Sequence, residues 1–476
     1  MRALALVLAA SVAQIAVVAS ATSDVAQVVV EDFGPMGTYG GREYTWVTGH
    51  IEGVVHRDDG ITGHYRVPVS LFYPDSDSNG FGFVDVIHDG DVERFVDHPA
   101  SRGVLYPGDA IFSDFLRREG FTYIAVQHSR TVTYVLGPNY GVIENGADGY
   151  EIITDAARLI REPDALHGVL AIPPRGVDYV VGFGISSTVG LIKSVVLYDE
   201  DHRGDGAAAF DGLFLASSGA SNCNLLTNDE TPQAIPGRPA IPTFEESAAC
   251  PRPMPDDVKI ILIRSQTDLE RRVDRLPRWE TPGYRVYEIA GVPHAPEGLR
   301  NFRHQGATRQ NPATWVPVAK AMLHHLAAWI ATGREPPPPL YLEGTGEDGA
   351  FALTRDADGN VLGGIRLPHM RSVLPNGGPA GAPLGVYGGV DRNLEAPPML
   401  GGTFEPFSPE ELARRYPTQE IYIDLVRNAA DALLADGYLL EEDYHAYIRA
   451  AKRQPLQPIA IDPAAIIARV SDAATE

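Results

Sequence analysis

The chain has 476 residues, of which 44% are hydrophobic and 21% charged, and its formal net charge is −23. This composition is typical of a globular protein, and the length allows one large domain with appendages or two domains. Because phosphate binding needs clustered Lys and Arg, so acidic a chain is not expected to bind nucleic acid or anionic membranes.

The N-terminus is predicted to be a secretory signal peptide. Residues 1–21 combine one early Arg with an apolar run and end in Ala19-Ser20-Ala21, so cleavage is expected after Ala21. The alternative is an uncleaved membrane anchor, because the apolar run is close to spanning length. No later apolar run approaches that length. The mature protein is therefore expected to be secreted or periplasmic, with no stable membrane insertion after signal removal.

Residues 22–335 are predicted to form an α/β core. The first strand-like segments, rich in β-branched and aromatic residues, are 26–33, 45–55, 65–74 and 81–90. From about residue 108, helices (108–120, 146–162, 186–198 and 311–333) alternate with apolar strands (121–129, 177–184, 210–218, 258–266 and 284–291). This alternation predicts a mostly parallel mixed sheet with helices on both faces.

A long irregular stretch, residues 219–257, interrupts this alternation and contains both cysteines of the chain, Cys223 and Cys250. Loops of this length inside a compact domain are often functional, so the stretch is predicted to be a lid-like insert. In an oxidising compartment the two cysteines are expected to form a disulfide that ties the insert together. Two free buried thiols are the alternative.

Residues 336–476 are predicted to be a C-terminal extension that packs on the core. A proline tract at 334–343 marks its beginning, and Asp358-Gly359 indicates a hairpin turn. Residues 408–453 read as two or three amphipathic helices, with Ser408 as an N-cap and Glu411 completing a capping box.

Three residues suited to nucleophilic catalysis follow successive predicted strands. Ser186, Asp268 and His294 come, in this chain order, after apolar segments that end a few residues before each of them. A serine hydroxyl is a weak nucleophile that needs a base in hydrogen-bond reach and a carboxylate to orient that base. Catalytic side chains collect at the carboxyl ends of parallel strands. The pattern therefore predicts a triad of nucleophile, acid and base.

Other residues are alternatives for these roles. Ser187 would point away from the turn as the first residue of a helix, Asp274 lies further from its strand, and Glu297 lies in a loop near His294. Three further histidines are interpreted as surface, packing or pocket-lining residues: His304, His324 and His325.

An oxyanion hole needs backbone N–H donors beside the nucleophile. One donor is predicted to be the N–H of Ser187, and the other an N–H of His88, Asp89 or Gly90 in the loop after the strand at 81–90. A plain polar turn or weak cation binding by Asp89 and Asp91 is the alternative, but metal ligands at useful spacing are too few there. No metal or other cofactor is expected.

The turn around Ser186 reads GISSTVG, and Thr188 stands where the G-x-S-x-G pattern expects glycine. Together with QTDL, IAGVPHA, HHLAAWIATGREPPPP, RDADGNVLGGIRLP and GGTFEPFSPEEL…YP, this segment resembles a bacterial group of alpha/beta hydrolase domain proteins. Their turn usually reads G-Y-S-Q-[ST]-G. Val189 replaces its last glycine, and Gln266 stands where the group has its first acid.

The resemblance implies an alpha/beta-hydrolase fold with Ser186 as nucleophile and His294 as base. It also implies hydrolysis of carboxylic esters but does not imply a particular substrate. The expected partner is a small-molecule or polymeric ester. Two alternatives use the same residues differently: acyl transfer through the same triad, and ligand binding on a degenerate hydrolase scaffold, which the changes at Val189 and Gln266 would explain.

Overall fold

The fold is built on a sheet of ten strands. It is seen in a computed structural model that describes residues 14–17, 25–56, 62–87, 112, 114–127, 134–135, 142–143, 148–166, 170, 174–186, 188–203, 206–217, 253–270, 278, 281–294, 311–346, 351–390 and 400–454. The strands up to residue 300 are β1 (Gln14–Val17), β2 (Val25–Tyr39), β3 (Arg42–His56), β4 (Thr62–Pro74), β5 (Phe81–Ile87), β6 (Thr122–Gln127), β7 (Tyr134–Val135), β8 (Val142–Ile143), β9 (Tyr179–Ile185), β10 (Gly212–Ala216), β11 (Lys259–Ser265) and β12 (Tyr284–Ile289). The order in the large sheet is β1-β2-β3-β4-β6-β5-β9-β10-β11-β12.

The sheet has an antiparallel part and a parallel part. Strands β1 to β4 pair antiparallel, as does β4 with β6. From β6 through β5, β9, β10 and β11 to β12, every neighbouring pair is parallel. Parallel strands present their carboxyl ends at one edge of the sheet, so the residues that follow β9, β10, β11 and β12 lie along the same edge. The predicted mixed sheet is confirmed.

The N-terminal strands are longer than the sequence pattern indicates. Strands β2 and β3 form a hairpin whose turn residues, Gly40 and Gly41, have φ of 57° and 82°, as tight two-residue hairpin turns require. Strand β1 lies within the predicted signal peptide and pairs with the outer edge of β2. Removal of residues 1–21 would leave β2 as the edge strand, and cleavage after Ala21 stays a prediction.

Helices cover both faces of the sheet, as predicted. They are α1 (Phe115–Glu119), α2 (Asp148–Arg161), α3 (Thr188–His202), α4 (Gln266–Glu270), α5 (Val316–Thr332), α6 (Pro409–Arg415), α7 (Gln419–Ala435) and α8 (Glu441–Arg453). Side chains of β9 point alternately to the two faces of the sheet, so they belong to two separate core clusters. On one face, Phe183 packs with α5 and with the aromatic residues of β5 and β10. On the other face Val180 packs with α2 and α3. In the described part of the chain, no helix combines the length and apolar character that a membrane crossing requires.

The segment after residue 336 adds short strands and contacts the sheet. Its strands are β13 (Gly344–Thr345), β14 (Ala352–Leu353), β15 (Ser372–Val373), β16 (Pro379–Ala380), β17 (Gly385–Gly388) and β18 (Thr403–Pro406). Ile365 donates its N–H to Glu288 O (2.8 Å) and accepts from Ala290 N (3.0 Å), so the segment lies along the end of β12. Tyr387 of β17 is buried in the same core cluster as α5.

Two local predictions for this segment can be compared with the structure. The Asp358-Gly359 hairpin turn is confirmed, because Arg355 and Val361 form an antiparallel bridge and Gly359 has a φ of 93°. Ser408 caps α6 by accepting a hydrogen bond from Glu411 N at 3.2 Å. The carboxylate of Glu411 pairs with Arg415, so the structure shows the Ser408 half of the predicted capping box.

Candidate active site

Ser186 occupies a strained turn between β9 and α3. Its φ is +54°, and among the described residues only two other non-glycine residues, Asp77 and Ser217, have positive φ. This left-handed conformation costs an L-residue roughly 1–2 kcal/mol, and such strain collects at functional sites. Ile185 is buried, whereas Ser186 is half-buried. The turn therefore lifts one serine out of the core at the carboxyl edge of the sheet.

Thr188 closes this turn with its hydroxyl. Its Oγ1 accepts a hydrogen bond from Ile185 N at 2.8 Å and donates to Ile185 O at 2.9 Å. The N–H of Val189 donates to Ser186 O at 3.3 Å, and the N–H of Ser186 donates to Ala216 O, at the end of β10, at 3.1 Å. Thr188, which departs from the glycine of the G-x-S-x-G pattern, thus ties the turn together.

The space that Val189 needs comes from Gly184 on the strand. Val189 is fully buried against the sheet. A Cβ on Gly184 would lie 3.1 Å from Val189 Cα, 3.0 Å from Thr188 O and 2.9 Å from the Ile192 side chain. The helix therefore approaches the strand at a glycine of β9, and this glycine leaves room for the β-branched side chain of Val189.

Replacing Gly184 with Ala is expected to destabilise the fold. The added methyl group would have to displace the backbone of α3, and overpacking of a dense core typically costs about 1–3 kcal/mol. Urea unfolding of the wild type and Gly184→Ala measures this difference in unfolding free energy. A change within about 0.5 kcal/mol, the range of ordinary surface substitutions, would show that the helix and strand are not in close contact.

Asp268 and His294 form a buried hydrogen-bonded pair. The Oδ1 atom of Asp268, in α4, lies 2.7 Å from Nδ1 of His294, in the loop after β12. The other oxygen, Oδ2, accepts hydrogen bonds from Ser265 N (2.7 Å) and Ser265 Oγ (2.9 Å). With Nδ1 donating to the carboxylate, Nε2 of the imidazole is left free to accept a proton.

The main chain of His294 is fixed as well as its ring. Its N–H donates to Thr267 Oγ1 at 2.9 Å. Its carbonyl accepts from Ser217 Oγ at 2.7 Å and from Trp315 Nε1 at 3.1 Å. None of these three supporting residues was predicted from the sequence. Only Ser217 gave a signal, since it follows an apolar strand as Ser186 does.

Short contacts connect the serine turn to the histidine loop. Ser186 N donates to Ala216 O, and the next residue, Ser217, donates its hydroxyl to His294 O. Strands β9 and β10 are parallel neighbours, which brings both contacts to one edge of the sheet. The structure therefore brings Ser186, Asp268 and His294 to the same edge of the sheet.

The side chain of Gln266 contacts the loop that precedes His294. Its Oε1 accepts a hydrogen bond from Gly291 N at 2.8 Å. Its Nε2 donates to Glu270 Oε1 at 2.8 Å and to Tyr387 O at 3.2 Å. This buried amide holds the histidine loop and the C-terminal segment together, and the carboxylate that contacts His294 is that of Asp268.

Buried charges link β11 and β12, the two strands that precede Asp268 and His294. Arg264 of β11 lies opposite Glu288 of β12, with Nη1 and Oε1 3.7 Å apart, and both side chains are fully buried. Glu288 also accepts two hydrogen bonds from Arg278, at 3.1 and 2.8 Å. On the same face, burial and the neighbouring charge of Arg264 lower the pKa of Lys193 to about 7.

Ten residues named from the sequence lie outside the residues that the structure describes, so their roles stay predictions. They are Ser187, His88, Asp89, Gly90, Asp91, Cys223, Cys250, Asp274, Glu297 and His304. His324 is exposed on α5, and the half-buried His325 bonds to Gly437 O at 2.8 Å. Within the described ranges, no group of three or more His, Cys, Asp and Glu side chains could hold a metal ion.

His369 makes the stability of this region depend on pH. Its ring packs on Tyr387, with centroids 4.8 Å apart, and its Nε2 is enclosed near Gly291. Burial lowers the pKa of His369 to about 4. The unfolded chain binds a proton at this ring near pH 6.5, whereas the folded protein binds it only near pH 4. Above pH 6.5 the ring is neutral in both states, and the full stability of the fold is present. As the pH falls from about 6.5 to 4, the unfolded chain takes up this proton and the folded protein does not, so the free energy of unfolding decreases progressively.

His369→Gln is therefore expected to flatten the pH dependence of the unfolding free energy between about pH 4 and 6.5. The wild type should lose on the order of 2–3 kcal/mol more than the variant across this range. Urea unfolding at several pH values measures the difference, and His324→Gln, at an exposed histidine, is the control. Equal slopes for the wild type and His369→Gln would contradict the prediction.

Comparisons with known proteins add to this geometry. The family model described as "Alpha/beta hydrolase domain" matches residues 112–449, a range that includes Ser186, Asp268 and His294. No curated protein matches the sequence.

Several solved structures are similar at low identity. An arylesterase is 15% identical, with 58% of this chain and 83% of that chain covered and a TM-score of 0.32. A carboxyl esterase from the mycorrhizal fungus Tuber melanosporum is 17% identical, with 51% and 75% covered and a TM-score of 0.28. A glucuronoyl esterase from Teredinibacter turnerae is 16% identical, with 44% and 49% covered and a TM-score of 0.26. At these values the likenesses carry no inference about activity or substrate.

Proposed function

The chain belongs to the alpha/beta hydrolase domain family, and on that premise we propose that it is a serine hydrolase that cleaves carboxylic esters. The predicted family membership is thereby confirmed. The observation that carries the proposal is the buried Asp268–His294 hydrogen bond of 2.7 Å, connected through the end of β10 to the strained turn of Ser186.

The proposed reaction has two half-reactions. Ser186 Oγ attacks the ester carbonyl while His294 Nε2 takes its proton, and Asp268 stabilises the resulting imidazolium. The bond between the carbonyl carbon and the alkoxy oxygen breaks, the alcohol leaves with the proton from His294, and an acyl group remains on Ser186. Water then attacks the acyl-enzyme with His294 again as base, which releases the carboxylic acid and the free serine.

The proposed oxyanion hole completes the site. Its donors are the N–H of Ser187 and an N–H of His88, Asp89 or Gly90. Strand β5, which precedes those three residues, pairs in parallel with β9, which precedes Ser186. That adjacency supports the assignment, because both loops start from neighbouring strands at the carboxyl edge of the sheet. Loss of one such donor typically raises the barrier by about 2.7–4 kcal/mol.

Labelling with a fluorophosphonate probe tests the proposal. The phosphorus is attacked by an activated serine, so the wild type should become covalently labelled with loss of fluoride, and Ser186→Ala should not. A control with Ser408→Ala, which removes the N-cap of α6, should keep its label. Absence of labelling in the wild type, or equal labelling of Ser186→Ala, would overturn the proposal.

The two alternative functions differ in their support. A degenerate binding scaffold was suggested by Val189 and Gln266, but Gly184 accommodates Val189 and Gln266 bonds to Gly291 N. Neither change therefore argues for loss of catalysis. Acyl transfer uses the same triad, and analysis of the products formed with added alcohols separates it from hydrolysis, because a transferase would yield a new ester instead of the free acid.

Export and disulfide formation are part of the proposal. They are supported by the signal-like composition of residues 1–21 and by the two cysteines, Cys223 and Cys250. The intact mass of the protein isolated from the native host is expected to lack residues 1–21 and two further hydrogens. A full-length mass, or a mass with both thiols reduced, would contradict the corresponding half of this proposal.

A further inference from the structure

The C-terminal segment touches the residues that hold the catalytic histidine. Thr267 lies between Gln266 and Asp268 in α4, and its Oγ1 accepts the N–H of His294 at 2.9 Å. The same hydroxyl donates a short hydrogen bond to Gly389 O, just after β17. One buried hydroxyl therefore joins the backbone of His294 to that of Gly389. Gly389 lies 122 residues after Thr267 in the sequence.

A second polar bridge runs beside the first. The side chain of the buried Asn311 donates from Nδ2 to Gly291 O and to Gly388 O, each at 3.1 Å. Gly291 belongs to the loop that leads from β12 to His294. The end of β17 is thus attached to the histidine loop at two points, through Asn311 and through Thr267.

The fit at Gly389 leaves no room for a side chain. A Cβ at this position would lie 2.6 Å from Thr267 N and 2.9 Å from Gln266 C, both backbone atoms. Gly389 is not among the glycines with positive φ, so the requirement for glycine here arises from close approach and not from backbone conformation. The C-terminal segment is therefore packed directly against the backbone that carries Asp268.

We propose that Thr267 is a positioning residue for the hydrolytic reaction. The segment formed by β17 and Gly389 completes the catalytic centre, because it orients the hydroxyl of Thr267. This inference rests on the proposed function. A threonine hydroxyl has one proton, so donation to Gly389 O directs an oxygen lone pair toward the N–H of His294. Asp268 then fixes the ring of His294, and the neighbouring Thr267 fixes its main chain.

Thr267 is therefore expected to affect the rate of the reaction although it does not contact the substrate. Misplacement of a catalytic group by about 1 Å can lower the rate about 10²-fold. Without the Thr267 hydroxyl, the buried N–H of His294 loses its acceptor and the loop is free to shift relative to Ser186. The ester pocket is not changed, so the effect should fall on kcat and not on KM.

The test compares Thr267→Val with Thr267→Ser in steady-state ester hydrolysis. Thr267→Val keeps the shape but lacks the hydroxyl, and it should lower kcat by about 10–100-fold with KM nearly unchanged. Thr267→Ser keeps the hydroxyl and should retain kcat near the wild-type value. Equal kcat for the wild type and Thr267→Val, or equal losses in both variants, would overturn the proposal.

Glycine substitutions separate positioning from general stability. Gly389→Ala should lower kcat as Thr267→Val does, because its methyl group would push Thr267 away. Gly377→Ala is the control, since its φ is +81° but its Cβ would meet no atom within 4 Å. It should lower the melting temperature and leave kcat unchanged. A matching loss of kcat in Gly377→Ala would assign the Gly389→Ala effect to stability and overturn the role of the segment.

The proposed function and this inference fail in different ways. A wild type that neither hydrolyses esters nor reacts with a fluorophosphonate would overturn the function, and the inference with it. A wild type that does both, while Thr267→Val hydrolyses esters equally well, would overturn the positioning role alone.

Discussion

Ser186→Ala is expected to lower kcat for ester hydrolysis by about 10⁴–10⁶-fold, with KM changed little. The reason is that Ser186 supplies the only protein atom that forms a covalent bond to the substrate in the proposed reaction. The residual rate would come from the oxyanion hole and substrate binding alone. Steady-state kinetics with a chromogenic ester measures the loss.

The same position offers a matched comparison of stability. Ser186 has a φ of +54°, which glycine adopts without the strain that a Cβ introduces. Ser186→Gly should therefore be more stable than Ser186→Ala by about 1 kcal/mol, although both lack the nucleophile. Urea unfolding gives the difference. Full activity in either variant would exclude Ser186 as the nucleophile, and a less stable glycine variant would contradict the strained turn.

Asp268→Asn is expected to lower kcat by about 10⁴-fold while the fold is kept. In the variant the amide oxygen can take over the hydrogen bonds from Ser265 that Oδ2 accepts. The amide NH₂ would then face Nδ1 of His294, and Nδ1 would have to become the acceptor. The proton would move to Nε2, which could no longer act as the base toward Ser186.

Glu270→Gln is the matched control for this variant. Glu270 lies on the same short helix, and its carboxylate bonds to Gln266 and pairs with Arg355, away from the imidazole. Its neutralisation should leave kcat near the wild-type value. Comparable losses in Asp268→Asn and Glu270→Gln would show that the charge of α4, rather than the contact to His294, matters for the reaction.

The positions of Ser186, Asp268 and His294 at one edge of the sheet were predictable because each follows a strongly apolar strand. Buried parallel strands read as continuous apolar runs, and the polar residue after each run lies at the carboxyl edge. The details of the serine turn were not predictable in this way. The sequence shows Thr188 and Val189 in place of glycine, but only the folded structure shows that Thr188 bonds to Ile185 and that Gly184 makes room for Val189.

The residues that support His294 come from distant parts of the chain. Trp315 and Gly389 have no periodicity or spacing that relates them to His294, so a local pattern could not identify them.

The length of β2 was underestimated for another reason. Its pairing with β3 shifts register at Val30/Asp32 and Pro35/Gly37, and such irregularities break the alternation from which strand length is read.

The most direct test of the proposed chemistry is to trap the acyl-enzyme. The wild type is mixed with an excess of a slowly hydrolysed ester and quenched with acid during turnover, and its peptides are analysed by mass spectrometry. The predicted result is a mass increase equal to the acyl group, on the peptide that contains Ser186, which disappears as the ester is exhausted. A turning-over enzyme with no acyl adduct, or with the adduct on another residue, would contradict a Ser186 nucleophile.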